Sequence, residues 1–319
     1  MIMEGYVGLD LGAVSTNLVV VDTGFRIAGE WYLRTQGDPI ASVKKIMKDA
    51  EKLIETTEVR AVGTTGSGRH LAAALVGADS VKNEITAHAR GALHFFPDVQ
   101  TVIEIGGQDS KIIIIRDGQV VDFAVNTICA AGTGSFLDHQ ATRMGMSVEE
   151  LAEMAARSPE SVRIAGRCAV FAETDIIERQ QRGASQAAIA RGLCEALVRN
   201  YLSTVAAGKP ISPPVVFQGG VAANLAVRRA FEEELGIQVL VPEHYGVMGA
   251  FGAALIAAEE KDPDKPSCFR GARVSDLKLS IRTFICEECS NTCEIVEISD
   301  DAGILGRWGG RCERWDLRE

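Results

Sequence analysis

A strand, a glycine turn and a second strand occur twice in this sequence, 94 positions apart, which is the spacing from Asp10 to Glu104. Residues 9–12 read LDLG and residues 103–106 read IEIG, and an aliphatic segment follows each turn. A carboxylate, a glycine and an aliphatic strand in common register indicate an internal duplication rather than two unrelated strand pairs. The chain is therefore expected to contain two copies of one unit.

Segments with helical periodicity alternate with short apolar segments through both copies, which is typical of an α/β fold. We place the first lobe at residues 1–98 and the second lobe at residues 99–260. Residues 261–266 (KDPDKP) are charged and contain prolines, as expected of a linker. Residues 261–319 are therefore interpreted as this linker and a small cysteine-rich C-terminal extension.

The charge balance excludes two classes of partner. With 33 Lys and Arg against 43 Asp and Glu, the net charge is -10, so nucleic acids and anionic membrane surfaces would repel the chain. The sequence shows no basic segment followed by a long apolar stretch at its start, and no apolar stretch that could span a bilayer. We therefore expect a cytoplasmic protein. In that reducing compartment, its eight cysteines favour metal ligation over disulfides.

Three glycine-containing loops have the composition of a nucleotide site. In the first loop, Asp10 ends a strand and is followed by Gly12, Ser15 and Thr16. Backbone N–H groups in such a turn can bind phosphate oxygens while the carboxylate holds a hydrated magnesium ion. One loop of this kind is weak evidence, since most glycine turns are structural.

The second loop lies in the other copy and has the same composition, with Glu104, Gly106, Gly107 and Asp109. Two such loops facing each other would hold a triphosphate from both sides. The third loop, QGGVAAN at residues 218–224, joins a strand to a helix. Glycines at that position let a base or ribose approach the backbone, so the third loop completes the set. Its candidate residues are Gly219, Gly220 and Asn224.

The order of these loops resembles the phosphate-1, phosphate-2 and adenosine motifs of the actin, hexokinase and Hsp70 superfamily. The resemblance implies duplicated ribonuclease H-like lobes, each a β-sheet with helices, and ATP in the cleft between the lobes. It also implies that Asp10 and Glu104 hold magnesium and water. The side chains implied near the phosphates are those of Ser15, Thr16 and Asp109.

Gln108 departs from the pattern, since many members of the superfamily have a glycine there. We expect Gln108 either to orient the attacking water or to sense the γ-phosphate, and both roles stay open. The resemblance also implies that Gly219 and Gly220 pack on the adenosine. The sequence contains no Walker-type lysine loop, so a P-loop ATPase is excluded.

Two cysteines stand immediately before predicted helices: Cys129 opens CAAGTGSFLD and Cys168 opens CAVFAETDII. A helix N-terminus lowers the pKa of a thiol and stabilises an anionic metal cluster. The small residues up to Gly132 leave room for a bulky group, and we include Gly132 and Thr133 among the cofactor-binding residues. One chain then supplies two thiolates whereas a cubane cluster takes four, so a twofold dimer is needed.

The cysteine segments, together with VIEIGGQDSK and GGVAANLAVRRAFEEELG, resemble the activators of 2-hydroxyacyl-CoA dehydratases and their relatives that serve benzoyl-CoA reductases and double-cubane cluster proteins. The resemblance covers residues 5–258. It implies one [4Fe-4S] cluster bridging a homodimer. It also implies ATP-dependent delivery of single electrons from ferredoxin or flavodoxin to an iron-sulfur partner enzyme. All three kinds of partner stay open.

We expect closure of the cleft on ATP to rotate the cluster-binding helices and to open the subunit interface. Asp10 or Glu104 would orient the water that attacks the γ-phosphate, and hydrolysis would reset the dimer. This conformational change would couple ATP turnover to electron transfer.

The extension carries four cysteines with metal-ligand spacing. Cys286, Cys289 and Cys293 form a C-x2-C-x3-C pattern, and Cys312 follows in a glycine-containing turn. Four such thiolates bind zinc or a second iron-sulfur cluster. So short a segment buries little apolar core of its own, so a metal site would stabilise it.

Other functions share the expected fold, namely a sugar or acyl kinase and a chaperone-like ATPase. Neither explains Cys129 and Cys168 at the starts of helices, and a non-enzymatic scaffold would not need three phosphate-type loops. Cys194 lies in a helical segment and is expected to be a core residue.

Overall fold

The computed structural model describes residues 2–126, 130–166 and 168–315. The chain divides into two compact units, of which the second is Ala92–Met248 and the first is formed by the chain on both sides of it. The first unit thus includes the last helix before the linker and the extension. The sequence analysis counted that helix with the second lobe and treated the extension as separate.

The first unit contains a five-stranded sheet of order β3-β2-β1-β4-β5, in which β1 to β3 are antiparallel and β4 and β5 run parallel to β1. Its strands are β1 (Met3–Leu11), β2 (Ser15–Asp22), β3 (Ile27–Arg34), β4 (Thr57–Thr65) and β5 (Ser80–Val81). The helices along this part of the chain are α1 (Pro39–Asp49), α2 (Glu51–Glu55), α3 (Arg69–Val76) and α4 (Glu84–Phe95). Because β1 lies in the middle of the sheet, its carboxyl end is buried.

The second unit repeats this sheet, with the order β10-β9-β6-β7-β8 and the same strand directions. Its strands are β6 (Thr101–Ile105), β7 (Ser110–Arg116), β8 (Gln119–Asn126), β9 (Val215–Gln218) and β10 (Val239–Leu240). Its helices are α5 (Gly134–Arg143), α6 (Val148–Arg157), α7 (Ala169–Gln181), α8 (Gln186–Ser203) and α9 (Leu225–Leu235). The equivalence of β6 with β1 confirms the predicted duplicated α/β fold.

Helix α10 (Met248–Glu260) packs closely on the sheet of the first unit. A Cβ at Gly8 of β1 would overlap the carbonyl of Ala250, and a Cβ at Gly63 of β4 would overlap that of Ala253. Glycine at both positions therefore lets helix and sheet backbones approach each other. Neither α10 nor any other helix of the described residues has the length and hydropathy to cross a membrane.

The extension forms a three-stranded antiparallel sheet of β11 (Ser280–Ile285), β12 (Glu294–Asp300) and β13 (Gly303–Trp308). Val274 and Ile298 of this region are fully buried in the same apolar core as β1. Arg270 donates hydrogen bonds to the carbonyls of Ala74 and Leu75 at the end of α3. The extension is therefore part of the core of the first unit, because its own sheet is too small to bury these side chains alone.

The predicted core position of Cys194 has a chemical consequence. Cys194 on α8 is fully buried, and burial raises the pKa of its thiol to about 12. Because the thiolate is the reactive form, we expect Cys194 to resist iodoacetamide at about pH 8 while the exposed Cys268 reacts. Peptide mapping by mass spectrometry measures both thiols in one native sample. Equal labelling of the two would contradict a closed core around α8.

Candidate functional site

Asp10 lies at the buried end of β1, where two glycines leave room for its carboxylate. A Cβ at Gly66 would lie 2.6 Å from Asp10 Oδ1, and a Cβ at Gly249 would overlap Asp10 Oδ2. Gly66 has a φ of +96°, a left-handed conformation that favours glycine. The carboxylate that the sequence predicts to be functional is thus confined at the strand end.

The first predicted loop is closed by the Gly12 N–H, which donates to Ser15 O at 2.8 Å. Thr16 is fully buried, and its hydroxyl is hydrogen-bonded to the hydroxyls of Thr35 and Ser42 at 3.0 and 2.7 Å. Thr35 in turn donates to Gly12 O at 3.0 Å. Thr16 therefore maintains the shape of the loop, and contacts of Gly12, Ser15 and Thr16 with phosphate stay predictions.

Glu104 occupies the corresponding buried place at the end of β6. Lys111 Nζ lies 3.1 Å from Glu104 Oε2 and 2.7 Å from Asp109 Oδ1. Burial raises the pKa of the Glu104 carboxyl, and the charge of Lys111 opposes that rise. The sequence analysis missed Lys111, although a lysine at the start of an aliphatic strand was an available signal.

Gly219, at the end of β9, repeats the packing of Gly66. Its φ is +90°, and a Cβ placed on it would lie 2.6 Å from Glu104 Oε1. The corresponding distance from a Cβ on Gly66 to Asp10 Oδ1 is also 2.6 Å. In each unit, a glycine from the neighbouring parallel strand therefore lies against the carboxylate of the first strand. The sequence analysis selected Gly219 but missed Gly66, although the Gly-Ser-Gly after β4 is a turn signal.

The rest of the third loop has structural contacts. Gly220 begins a short 3-10 helix. The Asn224 side chain caps α9, since its Oδ1 accepts from the N–H groups of Ala226 and Val227 at 2.9 and 3.2 Å. Contacts of Gly219, Gly220 and Asn224 with a nucleotide stay predictions.

The N-terminus of α5 is hydrogen-bonded to the second predicted loop. The Gly134 N–H donates to Gly106 O and the Ser135 N–H donates to Gly107 O, both at 2.8 Å. A Cβ at Gly134 would lie 3.0 Å from Gly106 O, so glycine permits this approach. Helix α5 starts five positions after Cys129, so the loop and the segment after that cysteine are held together.

Two further predicted residues have contrasting surroundings. Thr133 is fully buried, and its hydroxyl donates to Ala130 O at 2.8 Å within the turn before α5. Gln108 is exposed in the second loop. Thr133 therefore stabilises the turn, whereas Gln108 is accessible to a ligand.

Cys129 lies outside the described residues, and Cys168 is the half-buried N-cap residue of α7. Asn200 of α8 connects the segments next to these two cysteines. Its Nδ2 donates to Gly166 O at 2.6 Å, and its Oδ1 lies 2.6 Å from where a Cβ at Gly132 would be. The buried Asn200 thus brings the two cysteine segments together, a role that no sequence pattern indicated.

Helix α7 exposes large apolar side chains directly after Cys168. Val170 and Phe171 are each 66% exposed, and Ile177 is 47% exposed. Positions 170 and 177 lie on one face of a helix, with 171 beside them. Such an apolar patch on a surface is typical of an interaction site.

The four cysteines of the extension lie around one end of its sheet. The Cys286 N–H donates to Cys293 O at 2.8 Å, whereas Cys289 and Cys312 are exposed. Within residues 2–126, 130–166 and 168–315, no three His, Cys, Asp or Glu side chains are grouped so that they could hold a metal ion. The zinc or iron-sulfur site of the extension therefore stays a prediction.

The buried cluster around Lys111 has an energetic consequence. Lys111→Met should lower the free energy of unfolding by about 3–5 kcal/mol, because Glu104 and Asp109 lose their positive partner. Urea denaturation measures this change. Lys209→Met is the matched control, since its ion pair with Asp122 is partly exposed and solvent-screened, so its loss should change the free energy of unfolding far less. Equal small losses in both variants would contradict the importance of the buried cluster.

The chain is similar in sequence and in fold to known activator proteins. The (R)-2-hydroxyglutaryl-CoA dehydratase activating ATPase of Acidaminococcus fermentans is 34% identical over 254 residues, or 78% of this chain and 95% of that protein. The activator of 2-hydroxyisocaproyl-CoA dehydratase from Clostridium difficile, solved with bound ADPNP, superposes with a TM-score of 0.72 at 31% identity. That match covers 81% of this chain and 95% of the activator.

A more distant likeness shows the fold alone. A ROK family glucokinase from Streptomyces griseus matches 80% of this chain and 99% of its own length, with a TM-score of 0.51 and 18% identity. The BadF/BadG/BcrA/BcrD ATPase family, in contrast, matches residues 7–257, which include both strand-end carboxylates and both cysteine segments. The chain belongs to the BadF/BadG/BcrA/BcrD ATPase family.

Proposed function

We propose that this chain is an ATP-hydrolysing homodimer that delivers single electrons to an iron-sulfur partner enzyme acting on an acyl-CoA. The family is one of ATPases, and two relatives are named as activators of 2-hydroxyacyl-CoA dehydratases. A benzoyl-CoA reductase subunit of Thauera aromatica is 27% identical over 267 residues. Ferredoxin or flavodoxin is the proposed electron donor.

One observation carries the proposal: helix α5 is hydrogen-bonded to the second loop through Gly134 and Ser135. If the second loop binds phosphate, any movement of the loop on hydrolysis displaces the helix that follows Cys129. A kinase that transfers phosphate to a small molecule has no need of such a connection to a cysteine segment. The connection therefore favours an ATPase whose product is a conformational change.

For ATP hydrolysis, we propose that Asp10 and Glu104 hold a magnesium ion and orient the attacking water. Both carboxylates lie at strand ends beside a glycine of positive φ, so backbone groups and a phosphate can come close to them. Exposed Gln108 would contact the γ-phosphate or the water. Lys111 keeps the second carboxylate from being buried without a positive partner.

The residues around the cysteines fit a shared [4Fe-4S] cluster. Cys168 is half-buried at a helix N-terminus, where N–H dipoles stabilise an anionic group, and Asn200 brings the Cys129 segment to it. A cluster bound there would accept and release one electron. Two thiolates per chain leave its coordination incomplete, so we propose that a second copy supplies the other two. Val170 and Phe171 would then be covered by the second copy and exclude water.

We expect Cys129→Ala and Cys168→Ala each to lose about two iron atoms per chain, with the matching acid-labile sulfide, relative to the unchanged protein purified without oxygen. The loss is about two per chain because one cubane is shared by two chains, and it is the same whether the extension binds zinc or a cluster of its own. Cys268→Ala is the matched control, since this exposed cysteine lies in the extension and should keep the iron. Iron and sulfide assays, together with light scattering for the dimer, measure the outcome.

Three results would contradict the proposal. The first is a full iron content in either Cys129→Ala or Cys168→Ala. The second is an unchanged protein that is monomeric and free of iron. The third is loss of iron from Cys268→Ala, because it would move the metal site to the extension.

A further inference from the structure

His88 is a buried imidazole near Asp10 that the sequence analysis did not select. It lies on α4, and it is 6% exposed. A Cβ placed on Gly249 would overlap Asp10 Oδ2 and lie 3.1 Å from His88 Nε2. Asp10 Oδ2 and His88 Nε2 therefore both lie next to the small space that a side chain at position 249 would occupy. This space is open because residue 249 is glycine.

Helix packing fixes the position of this imidazole. A Cβ at Gly252 of α10 would overlap the carbonyl of Ala87, the residue before His88, so the two helix backbones are in close contact there. Arg90, two residues further along α4, donates from Nε to Glu259 of α10 at 2.7 Å. These contacts hold α4 against α10 and so fix the position of His88 relative to Gly249.

In the second unit, the carboxylate at the end of the first strand has a positively charged partner. The positive partner of Glu104 is Lys111, the residue opposite it in the β6–β7 strand pair. In the first unit, the residue that pairs with Asp10 in the same register is Asn17, which carries no charge. The paired strand therefore supplies no charged side chain at this register position, and His88 on α4 is a basic side chain whose Nε2 lies near the same point as Asp10 Oδ2.

We propose that His88 is a positioning residue for Asp10 in ATP hydrolysis. Its Nε2 holds Oδ2 at one orientation, so that the carboxylate presents a fixed oxygen toward the magnesium ion and the attacking water. This inference rests on the proposed ATPase function. It does not depend on the cluster, on the dimer or on the partner enzyme.

The test is steady-state ATP hydrolysis with three variants of the full-length chain. His88→Leu should lower kcat by about 10- to 100-fold while the KM for ATP changes less than about threefold, because orientation matters most in the transition state. His88→Gln should regain most of kcat, since its amide nitrogen can take the place of Nε2. His94→Gln, on the same helix, is the control and should keep kcat.

Gly249→Ala tests the same contact without changing His88. Its methyl group would overlap Asp10 Oδ2, so kcat should fall as in His88→Leu. Thermal unfolding and binding of a non-hydrolysable ATP analogue identify variants that fold and bind. If His88→Leu does not fold, the kcat values of His88→Gln and Gly249→Ala test the inference instead.

The outcomes separate the two proposals. If the unchanged protein does not hydrolyse ATP, the proposed function fails. If it does, and His88→Leu or Gly249→Ala keeps the full kcat, the inference about His88 is overturned. It is also overturned if His88→Gln is as slow as His88→Leu at equal thermal stability, because a merely space-filling role would give that result.

Discussion

The structure depends on one close contact that is made twice. In each unit the first strand ends in a carboxylate, and a glycine of positive φ from the adjacent parallel strand lies against it, Gly66 at Asp10 and Gly219 at Glu104. Any Cβ at these glycines would come within 2.6 Å of a carboxylate oxygen. Glycine therefore lets the chain turn directly against each carboxylate, and we propose that phosphate approaches the backbone at these turns.

In the second unit, the predicted second phosphate loop is connected to the segments next to the two cysteines. The loop after Glu104 accepts hydrogen bonds from the start of α5, and Asn200 holds the turn before α5 against the segment before Cys168. No long-range pathway is required, because each step is a direct contact within one unit. An ATPase built this way can move a bound group by moving a loop.

The sequence predicted the duplicated fold and both carboxylates because a repeat and a strand-end acid are local patterns. Helix α6 was missed, although Ser147 and Glu150 form a capping box that is visible in the sequence. The Gly-Ser-Gly after β4 indicated a turn, but the contact of Gly66 with Asp10 and that of Asn200 with Gly166 could not be predicted, since each joins residues that are distant in the chain. The packing of the extension on α3 is likewise a tertiary contact without a local signal.

The proposed ATPase activity requires that the two strand-end loops serve one nucleotide. Calorimetric titration with a non-hydrolysable ATP analogue, with and without magnesium, tests it in the unchanged protein and in Asp10→Asn and Glu104→Gln. The account predicts one nucleotide per chain, with a magnesium-dependent gain in affinity that either substitution removes. Two nucleotides per chain, or full magnesium-dependent affinity in either variant, would contradict it.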